Sequence, residues 1–406
     1  MPYTISTIAA LLATGALAAP TINFEPRQTT TEPTEFTANP SIALQMLEAA
    51  YTCFVTDLGW RSHGLSYNSD SDSAETWYKE NIYAVESLSG GAAGVMQSDY
   101  TAGLSYLEVV DRYLTDPSVT VHEYGHALTY HARNWVDQTD TGAWWETVAN
   151  WVADTFSTSE LCASAREEYG QKKGTSLIDL QKVIGDSFQV LVDGSVGSGN
   201  YYQARPVLTY LTNNPDNVTR LGSSAVWDLW EGYEEGSNET PLHTLSRLLG
   251  DTSVGSVIGR YWARMAYVDI GDGAANEVFL QQRAYLTYAN LDAQGSGVWR
   301  VKADRHPLYM GANINPLKVE GGNVAVSIEA DGEFSARLAV RDTTTGGVRY
   351  VDLVDGAGEV TVGSGEEASL VVAHTPAQVI QYNPFELSGE VTVRLDYQVT
   401  LTGASF

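Results

Sequence analysis

Positive charge is scarce in this sequence: 23 Lys and Arg stand against 50 Asp and Glu, a formal net charge of -27. Binding a polyphosphate or an anionic bilayer needs cations to displace counterions, so neither nucleic acid nor membrane is expected as a partner. Long apolar runs are missing too. After the first twenty residues no stretch approaches the ~20 apolar residues of a membrane-spanning helix. Only two cysteines occur, Cys53 and Cys162, and neither sits in a nucleophile or metal-ligand pattern, which removes thiol chemistry. No internal repeat is evident. The acidic excess is not a disordered tail, because the chain also carries 10 Trp and 23 Tyr. At 406 residues it can build two cores.

The opening "MPYTISTIAALLATGALAAP" has a short apolar run from Ile8 to Leu17, then Ala16 and Ala18 at signal-peptidase spacing before Ala19. It reads as a signal peptide over residues 1–18, which predicts a secreted, extracellular protein. The two cysteines of an exported chain most often pair, with two separately buried thiols as the alternative. The sequons at Asn217 and Asn238 fit the same route. Residues 19–40 are rich in Thr and Pro and read as a linker or removable pro-segment.

A helical pattern begins at Ser41, an N-cap, with Ile42, Met46, Leu47, Ala50, Tyr51 and Phe54 three or four apart. "NIYAVES" and "GLSYLEVV" read as strands around a Gly-rich stretch. "LIDLQKVIGDSFQVLV", "ARPVLTYLTNN", "AVWDLWEGYEE" and "VIGRYWARMAYV" read as helices. From about residue 312 the pattern alternates, in "NVAVSIEA", "FSARLAV", "VRYVDLV", "SLVVAH" and "GEVTVRLDYQVTL". The expected fold is α+β: a mainly helical domain with a small sheet over 41–311, then a β-sandwich over 312–406.

Histidine numbers only seven, yet three lie in "VHEYGHALTYH", residues 121–131. Asp116 can cap and Pro117 can start a helix there. Positions four apart on a helix differ by about 40°, so His122 and His126 can converge on one ion. Glu123, about 100° away, can take a proton from water at that ion. This is the HExxH arrangement of zincins. His131 lies about 180° from His122 and faces away, as a surface or supporting histidine. Thr129 and Ala132 exclude the HExxHxxGxxH form. A catalytic zinc wants a third protein ligand. "AWWETVANWVADTF" reads as a second helix with Glu146, Asn150 and Asp154 on one face.

Glu146 follows His126 by twenty residues, and here the chain resembles the gluzincin (thermolysin-like) metallopeptidases over residues 117–154. The resemblance implies one Zn2+ held by His122, His126 and Glu146, with Glu123 as general base and a peptide or protein as substrate, glycoprotein and cell-wall material included. It also implies a later Tyr or His at the oxyanion, for which Tyr201, Tyr202, His243 and His306 are candidates. Asn150 stands where that family has an aspartate supporting a zinc-bound histidine; its carbonyl can accept the ring N–H without adding charge, and Asp154 is the other source. Asp137 and Asp140 are rival third ligands on the connecting loop. The overall layout is similar to secreted, zincin-like fungal and bacterial proteins with a C-terminal β-domain.

In zincins an edge strand beside the metal helix holds extended peptide by β-addition, and "GAAGVMQSDYTAGLSY" is placed to do so or to form an ordinary hairpin. Trp144, Trp145 and Trp151 could line a sugar-binding cleft or pack in a core. The acidic clusters at 68–75 and 269–277 read as solvated turns rather than calcium loops. The expected function is that of a secreted zinc metallopeptidase. The alternatives are a carbohydrate-active or carbohydrate-binding protein and an inactive zincin.

Overall fold

The computed structural model describes residues 26–27, 41–69, 77–132, 141–195, 197–234, 236–319 and 322–406. The expected signal peptide, most of the linker, Asp137 and Asp140 therefore lie outside the described residues. The fold is α+β, with helices in the first part and two antiparallel sheets toward the C-terminus. The chain forms two compact units, residues 1–137 with 148–174 and residues 138–147 with 175–406.

In the first unit, β1 (Pro26–Arg27) pairs with β2 (Trp77–Tyr78). Helix α1 (Ser41–Tyr51) buries Met46, Leu47, Ala50 and Tyr51 at the spacing the sequence shows. A three-stranded sheet has the order β3 (Asn81–Val85), β5 (Leu104–Val110), β4 (Gly94–Asp99); β3 is parallel to β5 and β4 antiparallel at one edge. β4 thus emerges as a strand of its own from the Gly-rich stretch. Helix α2 (Pro117–His131) packs on β4 and β5. Its start is as expected, with the Ser118 N–H donating to Asp116 Oδ1 at 2.9 Å and Pro117 in the first turn.

Helix α3 (Trp145–Thr158) meets α2 where Ala149 and Val152 face Gly125, and α4 (Ala163–Glu168) follows. A Cβ at Gly125 would sit 2.9 Å from Ala149 Cα and 3.1 Å from Val152 Cβ. Glycine costs about 1 kcal/mol inside a helix, and here it is what lets α2 approach α3. Trp151 stacks on Trp60 at 5.8 Å, and both Trp144 and Trp151 are core residues. Cys53 and Cys162 form a disulfide.

The second unit holds α5 (Asn200–Gln203), α6 (Pro206–Asn213), α7 (Ala225–Glu231), α8 (Pro241–Leu249), α9 (Val254–Met265) and α10 (Gly273–Gln282). Strands β6 (Leu291–Gly295), β7 (Val298–Val301), β8 (Ala312–Val319), β9 (Asn323–Ala330), β10 (Phe334–Asp342), β11 (Val348–Asp352), β12 (Ala357–Thr361), β13 (Glu366–His374), β14 (Tyr397–Thr402) and β15 (Ala404–Ser405) complete it. They build two five-stranded sheets, β11-β10-β13-β8-β15 and β12-β9-β14-β7-β6. One apolar cluster draws on both, with Val324, Val326, Ile328 and Val399 from one sheet and Leu338, Val340, Leu370 and Val372 from the other. Residues 291–301, ahead of the expected start at 312, belong to the second sheet.

Two segments differ from their patterns. In 177–192 only Gln181–Gly185 is a helical (π) turn, because Ser187, Phe188 and Leu191 bond outward: Leu308 donates to Phe188 O, Leu191 to Tyr309 O, and the Ser187 hydroxyl to Ala312 O. In 389–396 the expected strand is a short 3-10 turn and an extended link, where Leu395 donates to Pro307 O and strand pairing begins only at Tyr397. Asp272 caps α10, and Asp269 binds Arg264, so 269–277 is turn and cap chemistry.

Candidate metal centre

His122, Glu123 and His126 share the middle of α2, and all three are buried. The two imidazoles stand edge to face at 4.8 Å, as residues one helical turn apart must when their rings converge. His122 Nδ1 lies 2.9 Å from Asn150 Oδ1. That oxygen can only accept, so Nδ1 carries the proton and Nε2 keeps its lone pair for an ion. The support expected of Asn150 is therefore in place, without charge.

Because α3 is unbroken, Glu146 sits one turn before Asn150, about 40° round the same helix face. Ligand atoms of His122, His126 and Glu146 all lie within 4.8 Å of one another. Two imidazole nitrogens and one carboxylate oxygen form a donor set suited to zinc, and three protein ligands leave a position for water. The donors present fit the ion.

Glu123 is pressed against the edge strand. A Cβ at Gly94 would meet Glu123 Cγ at 2.7 Å and Oε1 at 3.0 Å. Sequence reading did not single out this glycine; a lone Gly at the start of a strand is the available signal.

Tyr201, one of the four oxyanion candidates, is tied in beside Glu146: the Thr147 hydroxyl donates to the Tyr201 carbonyl at 2.5 Å. Burial, then the negative charges of Glu146 and Asp193, push its phenol above the usual range, which keeps the hydroxyl a proton donor. Tyr202 packs its ring on Tyr201. His243 bonds Thr240 at the start of α8, and His306 donates to the Ala303 carbonyl.

His131 does face away from His122, yet it is not at the surface. It is fully buried, with Nε2 3.0 Å from the Ser105 hydroxyl, which also donates to Glu80. Burial, followed by the charges of His63 and Arg61, holds its imidazole well below the ordinary histidine range, and burial raises the Glu80 carboxyl. His63, bonded to the Tyr124 hydroxyl at 3.1 Å, is pushed by burial down to about 3. These groups are a neutral polar layer under α2.

The chain belongs to DUF6055, a family of unknown function, which matches residues 23–405. No curated protein sequence matches it. Among solved structures, the ZmpB metallopeptidase from Clostridium perfringens is slightly similar, with 14% identity and a TM-score of 0.14. The match covers 22% of this chain, which spans only 18% of that protein.

Proposed function

We propose that the protein is a secreted zinc metallopeptidase of the zincin kind. His122, His126 and Glu146 hold the ion, and Glu123 is the general base. The observation that carries the reading is the convergence of those three ligand atoms within 4.8 Å, next to a buried glutamate that follows the first histidine. Bound zinc would polarise the scissile carbonyl and make water acidic.

Glu123, held by Gly94 on one side and its helix on the other, takes the proton that water loses and returns it to the leaving amine. The Tyr201 hydroxyl donates to the developing oxyanion. Water adds across one amide bond, giving a carboxylate and an amine. The Asn150 carbonyl fixes the His122 ring throughout. Export fits the Cys53–Cys162 disulfide, since disulfides persist in oxidising compartments, and glycosylation fits the exposed asparagines of both sequons. Trp144 and Trp151, being core residues, offer no sugar platform.

The test is metal content and cleavage of a peptide library by the purified full chain. One zinc per chain is expected. Glu146→Ala should lose it, whereas Glu123→Gln should keep it and lower turnover about 10²–10⁴-fold. Full zinc affinity in Glu146→Ala would remove Glu146 from the ligand set, and undiminished turnover in Glu123→Gln would remove the base.

A further inference from the structure

We propose, resting on the peptidase reading above, that Phe385 is a specificity-determining residue: a wall on which substrate packs a bulky apolar side chain next to the scissile bond. The residue comes from the loop between β13 and β14.

In Asn383-Pro384-Phe385-Glu386 the Phe385 N–H donates to Asn383 Oδ1 at 2.9 Å and the Glu386 N–H to the Asn383 carbonyl at 3.2 Å. This is a proline-led β-turn braced by its own asparagine, which presents Phe385 on a stiff corner. Three more bonds tie the corner down. Gly194 N–H donates to the Pro384 carbonyl at 2.9 Å, the Tyr382 hydroxyl to Val192 O at 2.8 Å, and Ile380 N–H to the Tyr309 hydroxyl at 3.0 Å.

The ring nevertheless remains 44% exposed. Its place is set by small residues: a Cβ at Gly194 would strike it at 2.8 and 2.9 Å and Ala143 Cβ at 3.2 Å, and one at Gly142 would reach its tip at 3.6 Å. Gly142 and Ala143 lead directly into α3, with Glu146 on its first turn. Gly194 follows Asp193, whose charge acts with that of Glu146 on the Tyr201 phenol. Ring and phenol therefore both border the segment that carries Glu146.

Four residues of tight helix advance about 6–8 Å. An extended substrate advances about 3.4 Å per residue, so a Leu or Phe side chain flanking the scissile bond can touch the ring. A half-exposed aromatic on a rigid corner gains most from an apolar partner, and a charged one would leave its hydration behind.

The experiment compares the zinc-loaded full chain with Phe385→Ala and Phe385→Leu on a peptide library, reading cleavage positions by mass spectrometry. Wild type should favour Leu, Phe or Met over Gly at one flanking position by about tenfold or more. Phe385→Ala should lose most of that ratio, and Phe385→Leu should keep most of it. A wild-type profile without apolar preference, or one that Phe385→Ala leaves intact, overturns the proposal. Should wild type cleave nothing, the peptidase reading fails, and the decision passes to fluorescence anisotropy of a Leu-rich peptide on the metal-free full chain in EDTA. Weaker binding to Phe385→Ala then supports the proposal, and equal binding overturns it.

Discussion

The interior of the first unit and the core of the β-sandwich are built from different chemistry. Beneath and along α2 lie His63, Glu80, Glu123, His126 and His131, each less than a tenth exposed. Between the two sheets lie Val324, Ile328, Leu338, Leu370, Val399 and their neighbours, all apolar, while charges pair outside the cluster, as in Arg341 with Glu367 and Arg349 with Glu366. A buried polar group needs hydrogen-bond partners to offset its lost hydration, as Tyr124 serves His63 and Ser105 serves Glu80 and His131, whereas each buried aliphatic side chain contributes about 1.5–3 kcal/mol simply by leaving water. The first unit thus gives up part of that gain where reactive groups are needed. The sandwich does the opposite.

Breaking the apolar side should give the largest change. Leu370→Ala, in a fully buried strand position, is expected to destabilise the protein by about 2–5 kcal/mol in denaturant unfolding, with zinc content of the folded protein unchanged. A loss of zinc at native conditions would contradict the separation. Asn150→Ala probes the polar side. It should weaken zinc binding about 10–100-fold in a chelator competition, because the His122 ring loses its orienting acceptor. Affinity within twofold of wild type would mean that Asn150 is only packing.

A smaller and graded effect concerns pH. His63 stays neutral in the folded protein down to about pH 3, while the unfolded chain takes up a proton near pH 6.5. Between these values the unfolded state binds more protons, so stability must fall as pH drops below 6.5. At about 1.36 kcal/mol per pH unit the loss reaches about 2 kcal/mol at pH 5. His63→Phe, which removes one of two such proton sites, should lessen that slope in melts from pH 7 to pH 5, with the buried His131 supplying a remainder; an unchanged slope would assign it to other groups.

Much of the candidate metal centre can be read from local rules. The Asp116-Pro117 start fixes the phase of α2, the four-residue spacing brings His122 to His126, and the same spacing in α3 aligns Glu146 with Asn150. Each is a property of one helix. What could not be read depends on partners far along the chain. Residues 177–192 have helical periodicity, but backbone groups of Ser187, Phe188 and Leu191 are taken by residues 308–312. His131 looked like an outlying histidine because nothing in its neighbourhood announces Ser105. Gly94 and Phe385 gain meaning only from close packing that leaves no room for a Cβ, of Glu123 against Gly94 in one case and of Phe385 against Gly194 in the other.

The disulfide has one further consequence. Cys53 and Cys162 are 109 residues apart, and His122, Glu123, His126, Glu146, Asn150 and the whole small sheet fall between them. The chain from 53 to 162 is therefore a closed covalent ring. A single cut inside that ring would release no fragment: both new ends would stay tethered, and the candidate ligand set would remain on one molecule.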